Sequence, residues 1–149
     1  MTRINCVPVT ELCRQHLLAE YRELPRVFGS ARQWYAREKR KRGNRIIGDD
    51  LPLTYCLGKG HVKFFYSYLG FLRRRHAELV EEMKSRGYSP VFDCSDAGCD
   101  LPHFMQSEWD PPQDAIDLSR QRIRERLKTM RIDEADLLRV ESKSCYSPS

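Results

Sequence analysis

TELCRQHLLAEYRELPRVFGSARQWYAREKRK, residues Thr10–Lys41, decides the fold. Two stripes recur in it at helical spacing. Leu12, His16, Ala19 and Glu23 form one; Leu17, Leu24, Val27, Phe28 and Ala31 form the other. Thr10 is the expected N-cap, because its hydroxyl can accept an otherwise orphaned backbone N–H. Gly43 is the expected stop. Pro25 falls in the interior, where it removes one backbone hydrogen bond and is expected to kink the helix.

A helix this long needs apolar partners, and the rest of the chain supplies two. After Gly58 and Gly60, the spacing predicts a second helix over His61–Arg86, stopped by Gly87. Val62, Phe65, Leu69, Leu72, Leu79 and Met83 line one side of it. A third helix is predicted with Asp110 as cap and Pro111 in its first turn; Ile116, Ile123, Leu127 and Met130 follow one face. Tyr88–Trp109 is rich in turn residues and reads as one long ordered loop. No segment reads as a strand, and there is no internal repeat. The expected fold is all-α: a single compact domain of three main helices with long connecting loops. It is expected to span residues 1–138, with 139–149 a frayed tail.

The chain has 149 residues and a net charge of +5. The charge is uneven. Up to Gly48 there are 11 basic and 4 acidic residues; the remainder is close to balanced. A basic N-terminal third points to a polyanion partner, although a solvated helix face would give the same count. The mean hydropathy is −0.65. No apolar run approaches the ~18 residues of a membrane span, and the opening MTRINCVPVTE lacks the apolar core of a signal peptide. These features lead to the expectation of an intracellular, cytoplasmic protein with no membrane association. Six cysteines are present, none in a CxxC and none beside a histidine in a zinc pattern, so reduced thiols and no metal are expected.

Three features bear on chemistry. On the first helix, Glu23 lies beside Arg22 and three residues before Arg26, with His16 two turns earlier on the same stripe. Taken alone, such a set reads as surface ion pairs worth a few tenths of a kcal/mol. The second feature is the start of the chain. Thr2 is small enough to permit removal of Met1 and expose its α-amine. Such an amine has an ordinary pKa of about 7.7–8.0 and is a ready nucleophile; Arg3, Arg22 and Arg26 would depress it further. The arm before Thr10 can span roughly 26 Å when extended, and Glu23 lies about 20 Å along the helix, so the amine can reach it. The third feature is a basic set near the C-terminal end: Arg122 and Arg126, four apart, with Arg120 and Arg124 offset. That spacing can present guanidiniums to successive phosphates.

These residues carry a resemblance. MTRIN at Met1–Asn5, HLLAEYRELPRVFG at His16–Gly29, LGKGHVKFFY at Leu57–Tyr66 and FLRRRHAEL at Phe71–Leu79 closely resemble the pyrimidine dimer DNA glycosylase family, the endonuclease V of UV-damage repair. The resemblance runs from Met1 to about Leu127. It implies a single all-α domain that acts as a monomer, with no metal and no cofactor. The implied substrate is double-stranded DNA containing cis-syn pyrimidine dimers or abasic sites. The implied activities are glycosylase and AP lyase: amine attack, Schiff base formation and β-elimination. By the same resemblance Thr2 supplies the nucleophilic amine and Glu23 the essential carboxylate. Arg3, Arg22, Arg26, Arg122 and Arg126 bind phosphates and the lesion, with His16 near the site. Two departures stand out. The C-terminal stretch is nearly free of aromatics, with Tyr146 its one aromatic residue, where the family's best-known member has an aromatic-rich tail; and Arg37–Asp50 is longer and more basic. Two other classes share the charge and the helices: a non-catalytic helical DNA-binding protein, and a lyase of the same fold acting on other base lesions.

Overall fold

The computed structural model describes residues 3–43 and 47–130. Thr2, the domain boundary at 138 and the tail 139–149 lie outside the described residues. Among the described residues there are four α-helices: α1 (Arg14–Arg42), α2 (His61–Phe64), α3 (Leu69–Ser85) and α4 (Gln113–Leu127). Among the described residues there is no strand, only an isolated antiparallel bridge between Tyr68 and Gln106. The molecule is all-α and is built around one core. Leu17, Leu24, Val27, Phe28 and Ala31 of α1 bury against Leu69, Leu72, Leu79 and Met83 of α3. Of the two stripes on α1, the second is therefore the core face.

Thr10 does not cap α1. Residues Val9–Glu11 form a 3-10 turn, and α1 starts at Arg14 with Cys13 in the cap position. The cause is long-range. Arg120 of α4 grips the Glu11 carboxylate with two hydrogen bonds, at 3.0 and 2.6 Å. Leu12 and Cys13 then run extended, and the Leu12 carbonyl accepts a hydrogen bond from Arg86 at 2.8 Å. Pro25 lies inside α1 without ending it. A proline here leaves the Tyr21 carbonyl with no helical donor, and His76 of α3 packs beside this turn, stacked on the Tyr21 ring at 5.4 Å.

The predicted second helix is broken. α2 ends at Phe64, Phe65–Ser67 make a 3-10 turn, and α3 begins at Leu69. The loop after α3 causes the break. Ser107 N–H donates to the Ser67 carbonyl at 3.2 Å, and Phe71 N–H donates to the Ser107 carbonyl at 3.4 Å. Gly70 makes this approach possible: a Cβ there would stand 2.6 Å from the Gln106 carbonyl oxygen. Gly70→Ala is expected to cost about 1–3 kcal/mol by forcing the loop outward. Thermal denaturation checks this; an unchanged midpoint would mean that the loop yields freely.

Tyr88–Trp109 holds no α-helix, only a 3-10 turn at His103–Met105, and Cys94, Leu101 and Met105 within it are buried. Asp110 does not cap α4, which starts at Gln113 with Pro112 in the cap position. The two consecutive prolines account for this. A residue before proline is pushed out of the helical region, so neither Asp110 nor Pro111 can enter the helix. The described cysteines, Cys6, Cys13, Cys56, Cys94 and Cys99, are free thiols. No helix among the described residues is long and apolar enough to cross a membrane.

Candidate active site

The cleft that matters lies between the N-terminal arm, α1 and α4, and encloses about 250 Å3. The first stripe of α1 forms its floor: His16, Ala19 and Glu23, with Gln15 and Glu20 beside them. Arg3 and Asn5 enter from the arm. Arg122, Ile123 and Arg126 enter from α4, whose register places residues four apart on one face. Five sequence-predicted residues thus meet in one place: Arg3, His16, Glu23, Arg122 and Arg126. Arg22 and Arg26 do not line the cleft; they are exposed on α1 on either side of Glu23. Thr2 lies outside the described residues, but its neighbour Arg3 is in the cleft wall.

The electrostatics favour an anion. Burial, followed by the like charges of Arg126 and Arg122, holds the Arg3 guanidinium below the usual arginine range; Glu23 acts in the opposite sense. One terminal nitrogen of Arg3, Nη1, is buried with no hydrogen-bond partner among the described residues. A buried donor without an acceptor is costly, and a phosphate or sugar oxygen in the cleft would satisfy it. Three guanidiniums and the Glu23 carboxylate thus line one cleft.

The arm is tied down by residues that no sequence spacing marked. The buried Glu20 carboxylate accepts the Asn5 N–H at 2.5 Å and is ion-paired with buried Arg75 of α3 at 2.9 Å. Arg75 also donates to the Val7 carbonyl. Burial pushes the Glu20 carboxyl upward, against the pull of Arg75 and the Asn5 amide. His61 accepts the Ile4 N–H at 2.9 Å, and the Tyr55 hydroxyl donates to the Ile4 carbonyl at 3.2 Å. From α4, the Ser119 hydroxyl accepts the Cys6 N–H at 3.3 Å, and the Ala115 carbonyl accepts the Cys6 thiol at 3.2 Å. Each of the four described helices therefore holds one residue of the arm between Ile4 and Val7.

Two basic side chains of these stretches are spent inside the molecule. Arg120 is paired with Glu11. Arg42, within the basic stretch, is paired with Glu38, Asp49 and Asp50. Arg37, Lys39, Arg40 and Lys41 remain exposed on α1. The family model for pyrimidine dimer DNA glycosylases matches residues 1–96, which takes in the arm, α1, α2 and α3 and ends before α4.

Proposed function

The chain belongs to the pyrimidine dimer DNA glycosylase family, and from that premise we propose that it excises dimers by amine catalysis and then cuts the strand as an AP lyase. The supporting observation is the anchored arm. Its ties at Ile4, Asn5 and Cys6 hold Arg3 in the wall of the cleft that contains Glu23. The next residue toward the start, Thr2, then has only one residue's reach, ~3.5 Å, in which to sit.

The steps follow from that arrangement. The neutral Thr2 amine attacks C1′ of the 5′ nucleotide of a cis-syn cyclobutane dimer. The C1′–N bond breaks, and its electron pair leaves with the base. The sugar ring opens to an imine between Thr2 and C1′. That cationic imine acidifies the C2′ proton, whose removal expels the 3′ phosphate by β-elimination. Glu23 offsets the positive charge that grows on the sugar and imine, and carries protons between the steps. Arg3, Arg122 and Arg126 hold the flanking phosphates, and Arg22 and Arg26 meet the backbone from the exposed side of α1. His16 lines the cleft beside Glu23, within the same proton-transfer surroundings. No metal or cofactor enters this scheme, and the working unit it calls for is a monomer on double-stranded DNA.

Reaching a sugar inside a duplex requires local distortion, and a dimer that has already weakened stacking lowers that cost. Borohydride trapping tests the scheme. On a dimer-containing duplex, reduction of the imine is expected to give a covalent protein–DNA adduct that peptide mapping assigns to Thr2. An adduct on a lysine would move the nucleophile. Base release without an adduct would replace the amine by water, and binding without release would favour a non-catalytic DNA-binding protein.

A further inference from the structure

His61 opens α2 and is 2% exposed. Both ring nitrogens are used. Nδ1 lies 2.8 Å from the Cys56 carbonyl oxygen, which can only accept, so Nδ1 carries the proton. Nε2 is then the bare nitrogen and accepts the Ile4 N–H at 2.9 Å. The ring cannot turn away from this pair of bonds, because Tyr55 and Phe65 pack edge-on against it at 5.4 and 5.5 Å.

We propose that His61 is a positioning residue for the reaction: its neutral ring holds Ile4, and so holds the nucleophilic end of the chain in the cleft, and its protonation lets the arm go. The role rests on the reading of Thr2 as the nucleophile. Protonating the ring would place an N–H at Nε2 against the N–H of Ile4, two donors with no acceptor between them. The groups that face the ring do not relieve that conflict. Arg3 from the arm and Arg122 from α4 are both positive. Tyr55 and the Cys56 carbonyl lie on the preceding segment, and Phe65 is apolar. Glu20 and Arg75, from α1 and α3, meet the arm further on and are paired with each other. Burial and the two arginines keep the folded ring less ready to bind a proton than an unfolded one. The arm's hold is therefore intact at neutral pH and is lost as the pH falls through the folded ring's pKa.

The amine alone predicts a cleavage rate that falls by one proton's dependence in acid. The His61 role adds a second, so in wild type the acid limb of single-turnover cleavage should steepen from one proton to two once the pH falls below the ordinary histidine range. His61→Gln sets an amide oxygen near the place of Nε2 and cannot titrate. It should cleave at close to the wild-type rate at neutral pH, with the second proton dependence gone. His61→Asn reaches only the Cys56 carbonyl and leaves Ile4 unheld. It should lose about a hundredfold in rate, the scale of a small displacement of a reacting group, with lesion affinity by gel shift little changed. A ring needed only for packing would instead affect both variants alike. Equal rates for the two variants, or a one-proton limb in wild type, would overturn the role. Borohydride mapping of the wild-type adduct, run in parallel, separates the two failures. An adduct at Thr2 with coincident variant profiles removes only His61; an adduct elsewhere removes the amine reading and this role with it. If His61→Asn does not fold, the profiles of wild type and His61→Gln still decide the matter.

Discussion

Glu23→Gln is expected to slow single-turnover cleavage of a dimer duplex several hundredfold while leaving affinity for that duplex intact. The substitution keeps the size and the hydrogen-bonding reach of the side chain and removes its charge. Glu23 shares the cleft with Arg3, Arg122 and Arg126, so the ground state binds phosphate without its help; losing a negative charge there favours binding if anything. In the proposed mechanism the charge acts when the sugar becomes cationic, and a preorganised group aimed at developing charge is worth about 3–4 kcal/mol. An N-terminally extended form makes the companion test. One added residue displaces the amine by up to ~3.5 Å, enough to lose a near-attack geometry. Cleavage and gel-shift affinity measured on the same duplex for wild type, Glu23→Gln and the extended form check both claims. Full cleavage by the extended form would assign the nucleophile elsewhere. Loss of binding in Glu23→Gln would make the carboxylate a structural ion-pair partner, which is the reading its spacing on the helix allowed from the start.

The contrast between Glu23 and Glu20 shows what the sequence could carry. Both stand on α1 three residues apart, and both belong to recognisable helical stripes or their borders. The stripe that holds His16, Ala19 and Glu23 became the cleft floor, and the stripe that holds Leu17, Leu24 and Phe28 became the core face. Periodicity expresses that division directly, because it is local. Glu20 is different. Its partner Arg75 is 55 residues away, and spacing holds no record of such a pairing. Arg120 is the same kind of case: spacing set it only as offset from Arg122 and Arg126, and a carboxylate 109 residues earlier claims it. The break at Tyr68 has the same origin. Nothing within His61–Ser85 stops a helix; the backbone of Gln106 and Ser107, arriving from the far loop, does. Local sequence accounts for the later start of α4, where two prolines follow Asp110; the other misses are contacts made between distant segments, and the anchored arm consists of nothing else.

Removing one member of the Glu20–Arg75 pair is expected to be the most destabilising single change on this side of the molecule. The two side chains are 1% and 3% exposed. Glu20→Ala leaves a buried guanidinium, and Arg75→Ala leaves a buried carboxylate. Uncompensated buried charge costs about 3–5 kcal/mol, and the thermal midpoint should fall by on the order of 10 °C. Replacing both, as Glu20→Leu with Arg75→Met, removes the charges together and should recover much of that loss, since apolar side chains of similar volume pack well in place of an ion pair. The double variant still strips the Asn5 N–H and the Val7 carbonyl of their partners. Asn5 is only half-buried, so the arm can regain hydrogen bonds by lifting into water, at the expense of the cleft. Denaturation midpoints should therefore rise from single to double variant while single-turnover cleavage stays low in all three. A double variant that cleaves like wild type would show that His61, Tyr55 and Ser119 suffice to hold the arm, and that the buried pair serves the fold alone.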